Sequence, residues 1–238
     1  MSEVIFGAST GIGLETIKYI LEHSDKEILG VSRKPIPKNW TNDKRVKWLQ
    51  YDEEKEPEEL ADCIKVFITS NKIMVNSLVL CAGILNVSPA LIFKQQDLYQ
   101  MFKVNFFYHI FIARAIVPKM LRNGGSVVAI SSSAAENNSE GRSIYNASKS
   151  ALESYILTLG QEIGSKGVRA NIVRPGLTNT NLMHKTTPND GQALFLKSSA
   201  LEKISEPEDI ASVIFFLISD MSKSITCASI SAHGGARL

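Results

Sequence analysis

Cysteine is scarce in this 238-residue sequence, which holds only Cys63, Cys81 and Cys227. An odd number without a CxxC pair argues against a disulfide framework and fits reduced thiols, so a cytoplasmic location is expected. The four histidines, His23, His109, His184 and His233, share no metal-ligand spacing, and no metal site is expected. Long apolar runs are missing too. A spanning helix needs about 20 mostly apolar residues. The stretch 104–118 is interrupted by His109 and Arg114, and 210–218 is too short. The opening MSEVIFGAST has neither the basic n-region nor the apolar h-region of a signal peptide. No charge sign prevails: 26 Lys plus Arg face 24 Asp plus Glu, a net +2. The basic stripe expected of a nucleic-acid binder is therefore absent, and neither nucleic acid nor membrane is an expected partner. With 44% hydrophobic and 21% charged residues the chain is not of the disordered class. No Gly/Ser-rich linker, low-complexity tract or internal repeat divides it.

What is present is alternation. Short runs rich in Val and Ile at 4–6, 27–31, 46–49, 77–80, 126–130, 170–173 and 229–232 read as strands. Helical spacing covers 12–22, 97–122 (with Pro118 as a kink near its end), 148–163 and 208–219. The acidic segment 52–59 reads as a solvated loop entering a helix. Strand–helix alternation through the whole length predicts one α/β domain over 1–238. Its architecture is a single Rossmann-like, doubly wound parallel sheet of about seven strands, with helices on both faces.

The first strand runs into Gly7-Ala8-Ser9-Thr10-Gly11-Ile12-Gly13, the chain's one GxxxGxG, and a helix opens there. Glycines permit a tight turn and close backbone approach to a pyrophosphate, which the unpaired N–H groups of the helix start then bind. In such units an acid about 20 positions on receives the ribose 2′-hydroxyl. Position 33 is instead arginine, in Ser32-Arg33-Lys34, and no carboxylate lies between Gly30 and Thr41. A guanidinium pairs with a 2′-phosphate that an acid would repel, so NADP(H) is expected in preference to NAD(H).

Tyr-x-x-x-Lys occurs three times, at Tyr51/Lys55, Tyr99/Lys103 and Tyr145/Lys149. Only Tyr145 has a serine 13 positions upstream, Ser132, just past the end of a strand. In open α/β sheets that end borders the ligand crevice. Tyr51 and Tyr99 have Lys38 and Asn86 at that offset.

At these residues the chain resembles the classical short-chain dehydrogenase/reductase family over essentially its whole length. The matching positions are the Gly7–Gly13 turn, Asp52, Ala82-Gly83, Asn105, Ser132, Tyr145 with Lys149, and Pro175-Gly176-Leu177-Thr178-Asn179-Thr180. Pro207-Glu208-Asp209-Ile210-Ala211 and Gly234-Gly235 also fit. Departures fall at Phe6 (commonly Thr), Leu80 and Cys81 (Asn), Cys227 (Gly) and His233 (Asp). The lost asparagines are expected to alter the fine geometry of the fourth strand, and His233 is expected to be a contact of the terminal segment.

The resemblance implies NADP(H)-dependent reduction of a ketone to a secondary alcohol. Ser132 would hold the substrate oxygen and Tyr145 would donate the proton. Lys149 would bind the nicotinamide ribose and lower the Tyr145 pKa, and Asn105 would anchor a water linking Lys149 to solvent. Gly7, Ser9, Thr10, Gly11, Ile12 and Gly13 would hold the pyrophosphate end, and Ser32, Arg33 and Lys34 the 2′-phosphate. Asp52 would contact the adenine. Ala82, Gly83, Pro175, Gly176, Thr178 and Thr180 would flank the rest of the cofactor. The substrate pocket would draw on 86–93, 134–144 and an irregular lid over 181–199. Glu136, Asn137, Asn138, Glu140 and Arg142 favour a polar small-molecule or sugar-like substrate. Two alternatives stand beside this one. The first is 3-oxoacyl-[acyl-carrier-protein] reduction, with Arg122 and Lys166 steering an acidic carrier. The second is a non-catalytic NADP-sensing protein. A homo-oligomer, tetramer or dimer, is expected through 97–122 and 148–163, where Phe106, Phe107, Tyr108, Ile110 and Phe111 exceed one buried stripe.

Overall fold

The computed structural model describes residues 1–136 and 140–236. Its centre is a seven-stranded, all-parallel sheet in the order β3-β2-β1-β4-β5-β6-β7. The strands are β1 (Ser2–Phe6), β2 (Glu27–Ser32), β3 (Val46–Gln50), β4 (Val75–Leu80), β5 (Gly125–Ile130), β6 (Val168–Pro175) and β7 (Ser229–Ala232). All seven expected strands are present, each at or within a few residues of its expected bounds.

Successive strand residues feed opposite layers, as a pleated strand requires. In β1, Val4 and Phe6 join one core and Ile5 the other. The first core lies under α2 (Pro57–Ser70), α4 (Tyr108–Ile116) and α5 (Ser143–Ile163), through Leu60, Ile64, Ile112, Leu152 and Ile156. The second lies under α1 (Gly11–His23) and α8 (Pro207–Ile218), through Ile17, Ile20, Ile210, Ile214 and Leu217. Among the described residues no helix is long and apolar enough to cross a membrane.

Several sequence expectations need correction. The acidic stretch at 52–59 needs none, being a mostly exposed loop that enters a helix. Glu56 and Glu59 form a reciprocal capping box around Pro57 that starts α2. The expected helix 97–122 is three pieces: α3 (Gln95–Phe102), a π-helical turn Lys103–Phe107 and α4. Pro118 then sits in a separate short turn, Val117–Lys119, because it has no N–H to continue the α-helical ladder. The helix expected from 148 begins at Ser143, which places Tyr145 and Lys149 together in its first two turns. The stretch 181–199 is not irregular. It forms α6 (Asn181–Thr186), capped by Thr180 accepting from the Met183 N–H, and α7 (Asn189–Ser198). Both are short and polar, so periodicity alone carries little signal.

The asparagine losses leave β4 undisturbed. Leu80 pairs in register with Phe6 and Ala129, and the Cys81 N–H continues the ladder to the Phe6 carbonyl at 2.8 Å. Cys227 occupies the left-handed region at φ +54°, which explains why glycine suits that position. His233 is a terminal-segment contact: its Nδ1 accepts from the Ala236 N–H at 3.0 Å.

Candidate active site

Strand order reverses between β1 and β4, which opens a crevice at the carboxyl ends of the strands. A cleft of about 250 Å³ lies there, bounded by Gly7 after β1, Ser32 at the end of β2, Cys81 after β4, Ser131 after β5 and Pro175 at the end of β6.

One half is built by the glycine turn. Gly7 holds φ +87°, and a Cβ on it would lie 2.5 Å from the Ala82 nitrogen. A Cβ on Gly13 would lie 2.3 Å from the Gly7 carbonyl oxygen. The turn therefore closes tightly on β4 only with glycine. Helix α1 has no side-chain cap at Thr10 and no acid in its first turn, so its first N–H groups face the cleft beside Ser9, Thr10 and Ile12. The Ser131 hydroxyl, beyond the end of β5, lines the same cleft and is buried without a partner. An anion-receptive helix start, a cradle that a Cβ would fill and an orphaned hydroxyl fit a phosphate-bearing cofactor. Pro175, Gly176, Thr178 and Thr180 line the opposite wall.

At the far end of this half, Ser32 and Arg33 line the cleft. Lys34 and Asp52 do not; both are exposed, and Asp52 accepts from the Glu54 N–H at 3.0 Å. Tyr51 and Glu53 hold the wall instead. β3 ends at Gln50 and the chain then turns at 52–55, where the Lys55 N–H donates to the Asp52 carbonyl at 3.2 Å. Glu53 pairs with Arg33 at 2.6 Å, so the acid missing near position 33 arrives from the turn after the next strand. Tyr108 fixes that loop by donating to the Lys55 carbonyl at 2.7 Å.

The other half gathers the chemistry. Ser132 and Tyr145 line the cleft together, close enough for Ser132 to pull the Tyr145 pKa down, and the Ser132 Oγ also accepts from the Ala134 N–H at 3.1 Å. The Lys149 Nζ lies 5.9 Å from the centre of the Tyr145 ring and donates to the Ile130 carbonyl at 2.8 Å. That leaves two further N–H groups on Lys149. Asn105 is fully buried in the π-helical turn. Its Oδ1 accepts from the Ile84 N–H at 2.8 Å, and its Nδ2 donates to the Ile84 carbonyl and the Ser148 hydroxyl. Its side chain braces the wall beside Lys149 and is not itself on the cleft surface.

Ionisation follows burial. Desolvation raises the Tyr145 pKa, and the Ser132 hydrogen bond and the Arg142 charge offset this only in part. This corrects the expectation that Lys149 lowers the value: in the protein alone, burial outweighs Ser132 and the Arg142 charge, and Lys149 takes no part in the shift. Burial brings Lys149 down to about 8, against an opposing pull from Cys81 and Glu153. Cys81, at the base of the cleft, is pushed up to about 12 by burial and is a thiol at neutral pH.

Metal-ligand spacing marks no role for His109, one of four scattered histidines. It is fully buried and its Nε2 donates to the Ala82 carbonyl at 3.0 Å, which pins the end of β4. Burial first, then the Lys149 charge, hold its pKa at about 3, so it is neutral. The signal was its place four residues after Asn105, on the same helical face.

The substrate end differs from expectation. None of 86–93 lines the cleft; Ile84 and Leu85 do. Leu91 and Ile92 are exposed. Of the polar segment 134–144 only Arg142 reaches the wall among the described residues. Glu136 pairs with Arg174, Glu140 is exposed, and Asn137 and Asn138 lie outside the described residues. Leu182 and Met183 of α6, with the polar Asn181, Thr186 and Thr187, complete the wall.

Fold and cleft define a doubly wound α/β protein with a glycine turn and a Ser–Tyr–Lys cluster facing one crevice. Known proteins share this chain's pattern. The family model described as enoyl-(acyl carrier protein) reductase matches residues 54–237. The vibriobactin-specific 2,3-dihydro-2,3-dihydroxybenzoate dehydrogenase of Vibrio cholerae is 35% identical over 68% of this chain and 65% of its own length, so the match spans just under two thirds of that relative. The 2,3-dihydro-2,3-dihydroxybenzoate dehydrogenase of Escherichia coli K12 is 31% identical, covering 79% of this chain and 82% of that protein. Carbonyl reductase family member 4 of Danio rerio is 29% identical over 99% and 97%. A solved structure described as ElxO with NADP bound superposes with a TM-score of 0.86 at 22% identity, covering 98% of this chain and 97% of that one. The chain belongs to the short-chain dehydrogenase/reductase family of oxidoreductases.

Proposed function

We propose that this protein reduces a ketone to a secondary alcohol with NADP(H), using Tyr145 as general acid. The observation that carries the reading is the convergence of Ser132, Tyr145 and Lys149 on one cleft whose other half fits a phosphate-bearing cofactor. When bound, the cofactor supplies hydride. Ser132 and the Tyr145 hydroxyl hold the substrate oxygen, and Tyr145 gives it a proton. Its raised pKa keeps the phenol protonated at neutral pH, the form needed for reduction. Lys149 stabilises the phenolate that remains and orients the ribose through its two spare N–H groups. Gly7, Gly11 and Gly13 admit the pyrophosphate, and Thr178 and Thr180 face the nicotinamide end. A NADPH-oxidation screen over ketones, keto-sugars and acyl thioesters tests the reading. Substrate-dependent oxidation above background supports it and also excludes a pure NADP sensor; cofactor binding without any oxidation contradicts it.

Proton donation needs Tyr145 protonated and Lys149 charged. The lysine is charged below about 8 and loses its proton above it. Carbonyl reduction is therefore expected to be level through neutral pH and to fall with a midpoint near 8. A kcat/KM profile checks this; Lys149→Arg, which cannot lose its charge, should move the falling limb upward.

The preference for NADP(H) rests on Arg33. The 2′-phosphate would compete with Glu53 for its guanidinium. Both side chains are about half exposed or more, so the pair is worth at most about 1 kcal/mol. Glu53→Gln is expected to tighten NADPH over NADH by about three- to fivefold, and Arg33→Ala to abolish the preference. Equal wild-type affinities for the two cofactors, measured by fluorescence titration, would contradict the assignment.

The acyl-carrier reading has less support within the chain. Arg122 and Lys166 immediately precede β5 and β6, at the opposite end of the sheet from the cleft. Self-association is proposed through the face shared by the end of α3, the π-helical turn and α5, where the half-buried rings of Phe102, Phe106 and Tyr155 and the exposed ring of Phe107 form contacts of 5.6–6.5 Å between centres. A light-scattering mass near 26.2 kDa would contradict it.

A further inference from the structure

We infer that Arg142 selects the substrate, and that the substrate is a small organic anion. Its carboxylate pairs with Arg142 while its alcohol or ketone carbon faces Tyr145. The inference rests on the oxidoreductase reading above and names its substrate class.

Arg142 is the one side chain of the 134–144 segment that lines the cleft with Tyr145 among the described residues. Its position is built. The preceding Gly141 holds φ +72°, and its carbonyl accepts from the Ser88 N–H at 2.9 Å. The Arg142 carbonyl in turn accepts from the Asn146 N–H at 2.8 Å, in the first turn of α5. The side chain is steered by Thr187, whose hydroxyl accepts from Nη2 at 3.3 Å. A guanidinium has five N–H donors, and this bond uses one.

Of the acids nearby, Glu140 is exposed, and the other two are already engaged. Arg174 takes both Glu136, from the same loop, and Glu153, from α5. Among the described residues Arg142 has no ion-pair partner. A fixed, permanently charged fork without a carboxylate is incomplete in a way that a ligand carboxylate completes with two parallel hydrogen bonds. The charge also reaches the reacting group, since it favours the Tyr145 phenolate. The remaining wall of this half, Ile84, Leu85, Leu182 and Met183 with the polar Asn181 and Thr186, offers no second charge. The space thus suits a body carrying one anionic group, and a substrate without one would leave Arg142 unpaired.

Two matched pairs test this on the intact protein. Benzoate and benzamide are titrated calorimetrically into protein saturated with NADP⁺, and 3-oxocyclohexanecarboxylate and its methyl ester are compared as oxidants of NADPH. The acid is expected to be favoured over its neutral partner by about tenfold or more in both assays. Arg142→Gln should remove most of that preference, Arg142→Lys should keep part of it because the charge remains but the fork is lost, and NADPH affinity should stay within about twofold. Melting temperatures of both variants establish that they fold. The inference is overturned if the wild type shows no acid preference, if benzoate does not bind at millimolar concentration, if the preference survives Arg142→Gln, or if that change weakens NADPH to the same degree. The two readings separate cleanly. Tyr145-dependent reduction of the ester without acid preference leaves the oxidoreductase reading standing and sinks this one. Arg142-dependent benzoate binding with no carbonyl reduced does the reverse.

Discussion

Replacing Tyr145 by phenylalanine is expected to lower turnover by about 100- to 10,000-fold, the usual worth of a well-placed general acid. The ring stays, so the packing around a residue only 8% exposed is preserved and folding should be unchanged. What is lost is the hydroxyl that Ser132 engages. Because that proton is used only as charge develops on the substrate oxygen, the loss should fall on kcat, with NADPH affinity within about twofold of wild type. Steady-state kinetics together with a cofactor titration checks both halves. A variant with near-normal turnover would refute the assignment of the proton donor, whatever its cofactor affinity.

The second large effect is expected at Gly13. A methyl group there would sit 2.3 Å from the Gly7 carbonyl oxygen and 3.2 Å from the Cys81 Cβ. The nearer obstacle is backbone and has no rotamer to escape into. Gly13→Ala must therefore push the turn off the start of α1. Overpacking of this kind costs about 1–3 kcal/mol of stability. Displacing the turn also misaligns the N–H groups that would receive the pyrophosphate. Losing one or two such charge-assisted bonds, at about 1.5–3 kcal/mol each, weakens cofactor binding by roughly 10- to 1,000-fold or more. Gly164→Ala is the matched control, since a Cβ there meets nothing within 4 Å. Thermal melting and cofactor titration of the two variants side by side measure the effect. An NADPH affinity in Gly13→Ala equal to that of the Gly164 control would contradict the pyrophosphate assignment.

These two sites were legible in the sequence for different reasons. Gly13 stands in a contiguous motif whose spacing follows from backbone geometry, so seven residues sufficed to place it between strand and helix. Tyr145 was one of three equivalent Tyr-x-x-x-Lys patterns, and only the distant Ser132 singled it out. The strands were legible because a parallel sheet buried on both faces writes itself as short runs of Val and Ile. Less visible was whatever depends on contacts between separate elements. Glu53 meets Arg33 between the segments that follow two adjacent strands, and no local pattern marks that pair. Arg174 draws Glu136 and Glu153 away from the pocket, so the segment 134–144 reads as more polar than the wall it contributes. The raised Tyr145 pKa is a matter of burial, which the motif does not encode. The π-helical turn around Asn105 and the short helices α6 and α7 were missed because each is shorter than the window over which periodicity accumulates.

The central claim is that this cleft moves a hydride to a carbonyl carbon while Tyr145 supplies the proton. The most direct measurement follows the label itself. NADPH carrying deuterium at the transferable C4 position is incubated with the protein and a reducible ketone, and the alcohol is analysed by mass spectrometry. The account predicts one deuterium on the carbinol carbon with the wild-type protein and almost none with Tyr145→Phe over the same time. Alcohol formed without deuterium on that carbon, or labelled equally by both proteins, would contradict it.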